Sequence, residues 1–145
     1  MQISLFFITV GRAPEVKTQI LYQDMIVDQF ECDGNLHQVN FTVNDTESHQ
    51  AQSIAIKLLG KEAKHTQIDD CYHIIQDMHV EIEKIVFNGI DVTEIFCQGT
   101  KCYHHDQNGA VDQYIDEFHG YIGCNGTVLL DFYTPLYLWF LEQCQ

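Results

Sequence analysis

Two cysteines, two histidines and an aspartate lie together in the stretch FCQGTKCYHHD, residues 96–106. Cysteine pairs at this spacing, followed by histidines, occur in zinc sites. Successive side chains of a strand point to opposite faces, so Cys102 can share a face with His104 but not with the histidine after it. A three-ligand cluster of Cys97, Cys102 and His104 is one interpretation, and a disulfide is another. We predict instead a hairpin that turns at residues 98–100 with one cysteine on each arm, and no metal or other cofactor.

Acidic side chains form a second cluster, made of Asp69, Asp70, Asp77, Glu81 and Glu83. Calcium prefers several oxygen ligands supplied by a loop, but the spacing pattern of an EF-hand loop is missing. We interpret the cluster as a solvated loop and the outer face of a strand. The sequence also lacks a G-x-S-x-G elbow and a glycine-rich phosphate loop. We therefore predict that the protein is not an enzyme.

Aromatic residues concentrate toward the C-terminal end of the sequence. This set comprises Phe118, Tyr121, Phe132, Tyr133, Tyr137, Trp139 and Phe140. Core packing is the favoured interpretation of the set as a whole. Exposed rings on a sheet can nevertheless stack on sugars, and tryptophan and tyrosine dominate many binding hot spots. Tyr133, Tyr137 and Trp139 are therefore the candidate binding surface.

Short alternating segments between turn signals must position these groups. Asp-Gly at residues 33–34 and Asn-Gly at residues 88–89, 108–109 and 125–126 favour tight turns. The alternating apolar positions include Val39, Phe41 and Val43; Ile54, Ile56 and Leu58; and Val128, Leu130 and Phe132. In HVEIEKIVFNG the alternation slips by one residue at Glu83-Lys84, which predicts a β-bulge. The pattern predicts an all-β, antiparallel sandwich or jelly roll with short hairpins.

Helical signals are sparse, and we expect at most one or two short helices. One is predicted near residues 111–117. In the terminal PLYLWFLEQC, Pro135 could open a helix, but the apolar run that follows favours a strand for its first half. The opening MQISLFFITV is predicted to be a first strand.

Composition limits the domain organisation and the partners. A chain of 145 residues with 46% hydrophobic residues fits one domain, residues 1–145, with a packed core. The formal net charge of −14 disfavours binding to nucleic acid or to an anionic membrane. No segment has the roughly 18 apolar residues that a transmembrane helix needs.

Two segments resemble known proteins. VEIEKIVFNGIDVTEIF (residues 80–96) and GYIGCNGTVLLDFYTPLYLWFLEQ (residues 120–143) resemble small proteins encoded by tailed bacteriophages. The first segment is also similar to the calcium-dependent, xylan-binding type of carbohydrate-binding module, although no ligand residue of that family has a match here. The resemblance implies a β-sandwich of the virion, in the tail, fibre or capsid surface.

These observations lead to a main prediction and two alternatives. The main prediction is a non-enzymatic virion protein that assembles with other virion subunits, and as a homo-oligomer, through sheet faces and edges. The first alternative is a carbohydrate-binding module that recognises glycans of the host surface. The second alternative is a small metal-dependent enzyme built on Cys97, Cys102 and His104.

Overall fold

Two antiparallel sheets form the architecture in the computed structural model. The structure describes residues 1–98, 100–105 and 116–144, and for residues 100–105 and 116 it describes the backbone alone. The first sheet contains β1 (Gln2–Val10), β4 (Leu36–Thr42), β8 (His79–Phe87), β9 (Ile90–Asp91) and β12 (Tyr121–Ile122). Its strand order is β12-β8-β1-β4, and β9 pairs with β8. The predicted first strand, β1, is therefore central in this sheet.

The second sheet has the order β11-β10-β13-β5-β2-β3. Its strands are β2 (Arg12–Tyr22), β3 (Met25–Asp33), β5 (Gln50–Leu59), β10 (Thr100–His105), β11 (Asp116–Phe118) and β13 (Gly126–Thr134). A separate two-stranded hairpin is formed by β6 (Thr66–Ile68) and β7 (Ile74–Asp77). The all-β prediction is confirmed by this arrangement.

The core lies between the two sheets, and most of the alternating positions that the sequence predicted contribute to it, although Phe41 is only partly buried. Ile54, Ile56 and Leu58 are fully buried on β5, and Val128 and Leu130 are fully buried on the neighbouring β13. Successive strand residues point to opposite faces, so one apolar residue in every two is enough to build each inner face.

The predicted β-bulge is present in β8. Phe6 of β1 pairs with Lys84, but Phe7 pairs with Ile82, so that Glu83 is the extra residue. The bulge keeps Ile82 and Ile85 on the inner face although they are three positions apart.

The turn signals serve two different purposes. Asn88 and Gly89 have φ values of +52° and +83° and join β8 to β9 as a two-residue hairpin. The Asp-Gly pair at 33–34 and the Asn-Gly pair at 125–126 instead connect strands of different sheets, β3 to β4 and β12 to β13. They are links across the core rather than hairpins. The Asn-Gly pair at 108–109 lies outside the described residues.

The predicted hairpin at residues 98–100 is wrong on its first arm, because Cys97 ends a short helix, α1 (Thr93–Cys97). The Asp91 carboxylate accepts a hydrogen bond from the Thr93 amide at 2.9 Å, which begins the helical turn. Phe96 is then 4% exposed and packs against Phe87 at a ring distance of 5.7 Å. The buried ring holds the chain in a helical turn that the local sequence does not favour.

The predicted terminal strand is also wrong, because residues 136–143 form the helix α2 (Leu136–Gln143). Asp45, which is distant in sequence, accepts a hydrogen bond from the Leu136 amide at 2.8 Å. Leu136 and Trp139, three positions apart, are the buried residues of the helix. Of the helix predicted near residues 111–117, residues 111–115 are outside the described part, and Asp116 belongs to β11. Among the described residues, no helix is long and apolar enough to cross a membrane.

Candidate functional site

The β6–β7 hairpin stands outside both sheets and forms one wall of a large concave surface. Gln67 pairs with Gln76 across the hairpin, and Thr66 pairs with Asp77. Adjacent pairs face opposite sides, so the two glutamines share one face and Thr66 and Asp77 share the other. The Met78 amide donates to the carbonyl of His65 at 3.2 Å and closes the base of the hairpin.

A buried ion pair holds the base of the hairpin to the sandwich. The Lys61 side chain is 9% exposed, and its ammonium lies 2.6 Å from the Asp77 carboxylate. The ammonium also donates to the carbonyl of Gly123, and Thr66 donates to Asp77 at 2.7 Å. Burial alone raises the pKa of Asp77, but the hydrogen bond from Lys61 and those from the neighbouring hydroxyls leave the pKa below its ordinary value. Asp77 is therefore an anchor whose carboxylate already accepts hydrogen bonds from three side chains.

An aromatic pair completes this anchor on the outer side. Tyr121 stacks on His79 with a ring distance of 4.3 Å, and its hydroxyl donates to Asp77 at 3.0 Å. Burial and the hydrogen bond to Asp77 raise the pKa of Tyr121 to about 12. The phenol consequently keeps its proton and remains a donor to the carboxylate at neutral pH.

The opposite wall of the concave surface is the junction between β1 and β2, and Glu15 of this wall is hydrogen-bonded to His65 at the base of the hairpin. His65 is 9% exposed, and its Nδ1 accepts a hydrogen bond from the Glu62 amide at 2.8 Å. Its Nε2 therefore carries a proton and donates to Glu15 at 2.8 Å. This hydrogen bond lowers the pKa of Glu15 to about 2. Gly60 has a φ of +82°, and a Cβ there would overlap the Glu15 carbonyl oxygen, so this close approach requires glycine.

Between these walls lies an open cavity of about 630 Å³, which we call the hairpin groove. It is lined by Gly11, Arg12, Ala13, Pro14, Glu15, Lys64, His65, Gln67, Gln76 and Met78. Within the part of the chain that the structure describes, the side chains of Arg12, Gln67 and Gln76 make no hydrogen bond or ion pair. Lys64 lies 3.5 Å from Glu15 and is largely exposed. The groove therefore presents amide and guanidinium groups that are available to a polar ligand.

The three residues of the predicted binding surface at the C-terminal end differ in burial. Trp139 is 4% exposed, with ring distances of 5.6 Å to Phe96 and 5.8 Å to Phe87, so its ring belongs to the core. Tyr137 is 57% exposed, and Tyr133 is half-buried. A binding role for these two tyrosines stays a prediction, whereas the tryptophan has no free ring face to offer.

The residues considered for metal binding are not brought together among the described side chains, which contain no group of three metal ligands. Cys97 lies in α1, and Cys102 and His104 lie in β10, for which the structure describes the backbone only. In the acidic cluster, Asp69 accepts hydrogen bonds from the backbone amides of Cys71 and His73 and so stabilises the β6–β7 turn.

Sequence reasoning missed the hairpin groove because its two walls come from distant segments. The signal for the β6–β7 hairpin was present, since Asp69 begins a turn between apolar residues of the sequence QIDDCYHII. No local pattern, by contrast, indicates that Arg12 faces Gln67 and Gln76 across a cavity.

Comparison with known proteins identifies the fold. No protein-family model matches the sequence, and no curated protein matches it. One similar solved structure is vCBM60 in complex with galactobiose, at 12% identity over 89% of this chain and 96% of that chain, with a TM-score of 0.49. A second is the selenomethionine form of vCBM60, from a study of calcium-dependent carbohydrate-binding modules, at 12% identity over 88% of this chain and 87% of that chain, with a TM-score of 0.52. The second likeness shows a shared β-sandwich fold.

Proposed function

We propose that this protein is a non-catalytic carbohydrate-binding module that holds a saccharide in the hairpin groove. The observation that carries the proposal is the set of available polar groups, Arg12, Gln67 and Gln76, around an open cavity of about 630 Å³. Ligand cavities commonly have volumes of roughly 300–1,000 Å³. Amides offer both donors and acceptors to sugar hydroxyls.

The walls of the groove are preorganised for such a ligand. The Lys61–Asp77 ion pair fixes the hairpin to the sandwich, and the His65–Glu15 hydrogen bond joins the base of the hairpin to the opposite wall. A ligand that enters between fixed walls loses less affinity to the ordering of the protein. The low exposure of Lys61 and His65 supports a rigid site rather than one that forms around the ligand.

The shared fold supports the same function. The structure with a TM-score of 0.52 is a carbohydrate-binding module, and this likeness supports the glycan-binding alternative better than the main prediction from the sequence. A fold alone does not specify a function, so the groove carries the proposal and the likeness adds to it.

The described residues do not offer a calcium site at the groove. Glu15 is its one lining carboxylate and is already hydrogen-bonded to His65, whereas calcium takes six to eight oxygen ligands. Calcium is therefore a variable of the experiment below and no part of the proposed contacts.

Affinity electrophoresis in gels that contain xylan, galactan, glucan or polygalacturonate tests the proposal, in parallel with added calcium and with EDTA. We expect retardation by at least one polysaccharide and loss of that retardation in the double variant Gln67→Ala, Gln76→Ala. Gln38→Ala is the matched control, because Gln38 is exposed on β4 and outside the groove. Retention by none of the polysaccharides under either condition would refute the function.

The virion location, the virion partners and the homo-oligomer stay predictions. Glycan binding is compatible with them, because a particle surface that recognises a host glycan would need such a module. Native mass spectrometry measures the oligomeric state, and a monomer across the tested concentrations would refute the homo-oligomer.

A further inference from the structure

The hairpin groove collects positive charge on a strongly acidic protein. The chain carries seven lysines and arginines against 21 aspartates and glutamates. Arg12 and Lys64 both line the groove, and Glu15 is the one carboxylate that lines it. The charge of Glu15 already interacts with His65 at 2.8 Å and with Lys64 at 3.5 Å. The guanidinium of Arg12 is thus the charged group of the groove that has no partner among the described residues.

The two acids nearest to Arg12 in the sheet, Asp33 and Glu31, form no ion pair with it. Asp33 pairs with Arg12 in the backbone register of β2 and β3, and both residues line a second, smaller cavity. Its carboxylate accepts hydrogen bonds from the His37 ring at 2.8 Å and from the Thr9 hydroxyl at 3.1 Å. Glu31 lines the same smaller cavity but not the hairpin groove. Arg12 therefore retains its donors for a ligand.

From this geometry we infer that the hairpin groove selects a saccharide that carries a carboxylate, as a uronic acid does. Arg12 would bind the carboxylate, and the amides of Gln67 and Gln76 would bind neighbouring hydroxyls. The planar guanidinium matches a planar carboxylate with two parallel hydrogen bonds. A uronate would be repelled by the rest of a surface with net charge −14, so the groove is where it can bind. The inference rests on the proposed function and adds the chemical class of the ligand.

Titration calorimetry at low salt with two trisaccharides tests this inference. Trigalacturonate and galactotriose of the same linkage differ only by a carboxylate or a hydroxymethyl group on each ring. We expect the wild type to bind trigalacturonate about tenfold more tightly or better, because hydrogen bonds to charged groups are the stronger ones. Added salt should reduce this preference, because the ligand binds at an exposed surface.

Variants assign the preference to a residue. Arg12→Gln should bind both trisaccharides with the same affinity, and Arg12→Lys should keep only part of the preference, because lysine lacks the planar fork. Lys84→Gln is the matched control, since it removes the same charge from an exposed position of β8 outside the groove. Thermal melting of each variant checks that the fold is intact.

Three results would overturn the inference. Equal or tighter binding of galactotriose by the wild type would refute the choice of ligand while the proposed function stands. A preference that persists in Arg12→Gln would refute the role of this residue. Binding of neither trisaccharide, together with no retardation by any polysaccharide, would refute the proposed function itself.

Discussion

Replacement of Trp139 by alanine separates a core role of this side chain from a role in glycan binding. The tryptophan is 4% exposed, and its ring lies 5.4–6.2 Å from the rings of Phe87, Phe96, Phe132 and Phe140. An aromatic side chain buries about 200 Å², which at about 25 cal/mol per Å² corresponds to an upper value of about 5 kcal/mol. Large-to-small substitutions of buried aromatic residues cost about 3–5 kcal/mol. We expect Trp139→Ala to fall in that range.

Urea denaturation followed by circular dichroism measures this loss, and the melting temperature should fall by roughly 10 °C. Tyr137→Ala is the control on the same helix, because Tyr137 is 57% exposed, and its cost should stay within about 0.5 kcal/mol. Below its melting temperature, Trp139→Ala should keep the glycan affinity of the wild type. A cost below about 1 kcal/mol would refute the core assignment, since truncation of a buried aromatic residue lowers the free energy of unfolding by more than that.

Two further predictions concern the walls of the hairpin groove. Lys61→Met leaves the Asp77 carboxylate without its buried cation and should cost about 3 kcal/mol in urea denaturation. Lys64→Met removes only exposed ion pairs and should cost less than about 1 kcal/mol, and equal costs would contradict the role of burial. The pKa of Glu15 falls from 4.5 to about 2 on folding, so the unfolded chain binds its proton more readily. The contribution of Glu15 to stability is therefore present above about pH 4.5 and is lost as the pH falls toward 2. The variant Glu15→Gln should flatten that part of the curve of melting temperature against pH. A curve that the substitution leaves unchanged would argue against the pairing of Glu15 with His65.

The sequence alone determined the all-β class and the buried faces of several strands. Alternation on β5 and β13 specified which residues of each strand face the core, because successive side chains of a strand point to opposite faces of the sheet. The break in that alternation at Glu83-Lys84 was sufficient to predict the bulge in β8, since an extra residue must shift the phase. The Asn88-Gly89 hairpin followed from the positive φ values that these two residues tolerate.

Only the tertiary structure decided the two helices. The run after Pro135 is apolar at nearly every position, so its pattern does not distinguish a buried strand from a helix. The helix forms because Asp45 caps the amide of Leu136 and because Trp139 fits between buried aromatic rings. Both partners are far away in sequence, and tertiary packing supplies most of the stability of a short helix.

The candidate site depends still more on tertiary structure. The residue types of Arg12, Gln67 and Gln76 are ordinary for exposed positions, and no motif in the sequence around them indicates a binding site. They face one cavity because the Lys61–Asp77 ion pair and the Glu15–His65 hydrogen bond bring two distant segments together. Local periodicity is a property of neighbours in the chain and indicates strands and their buried faces, whereas a groove is a property of neighbours in space.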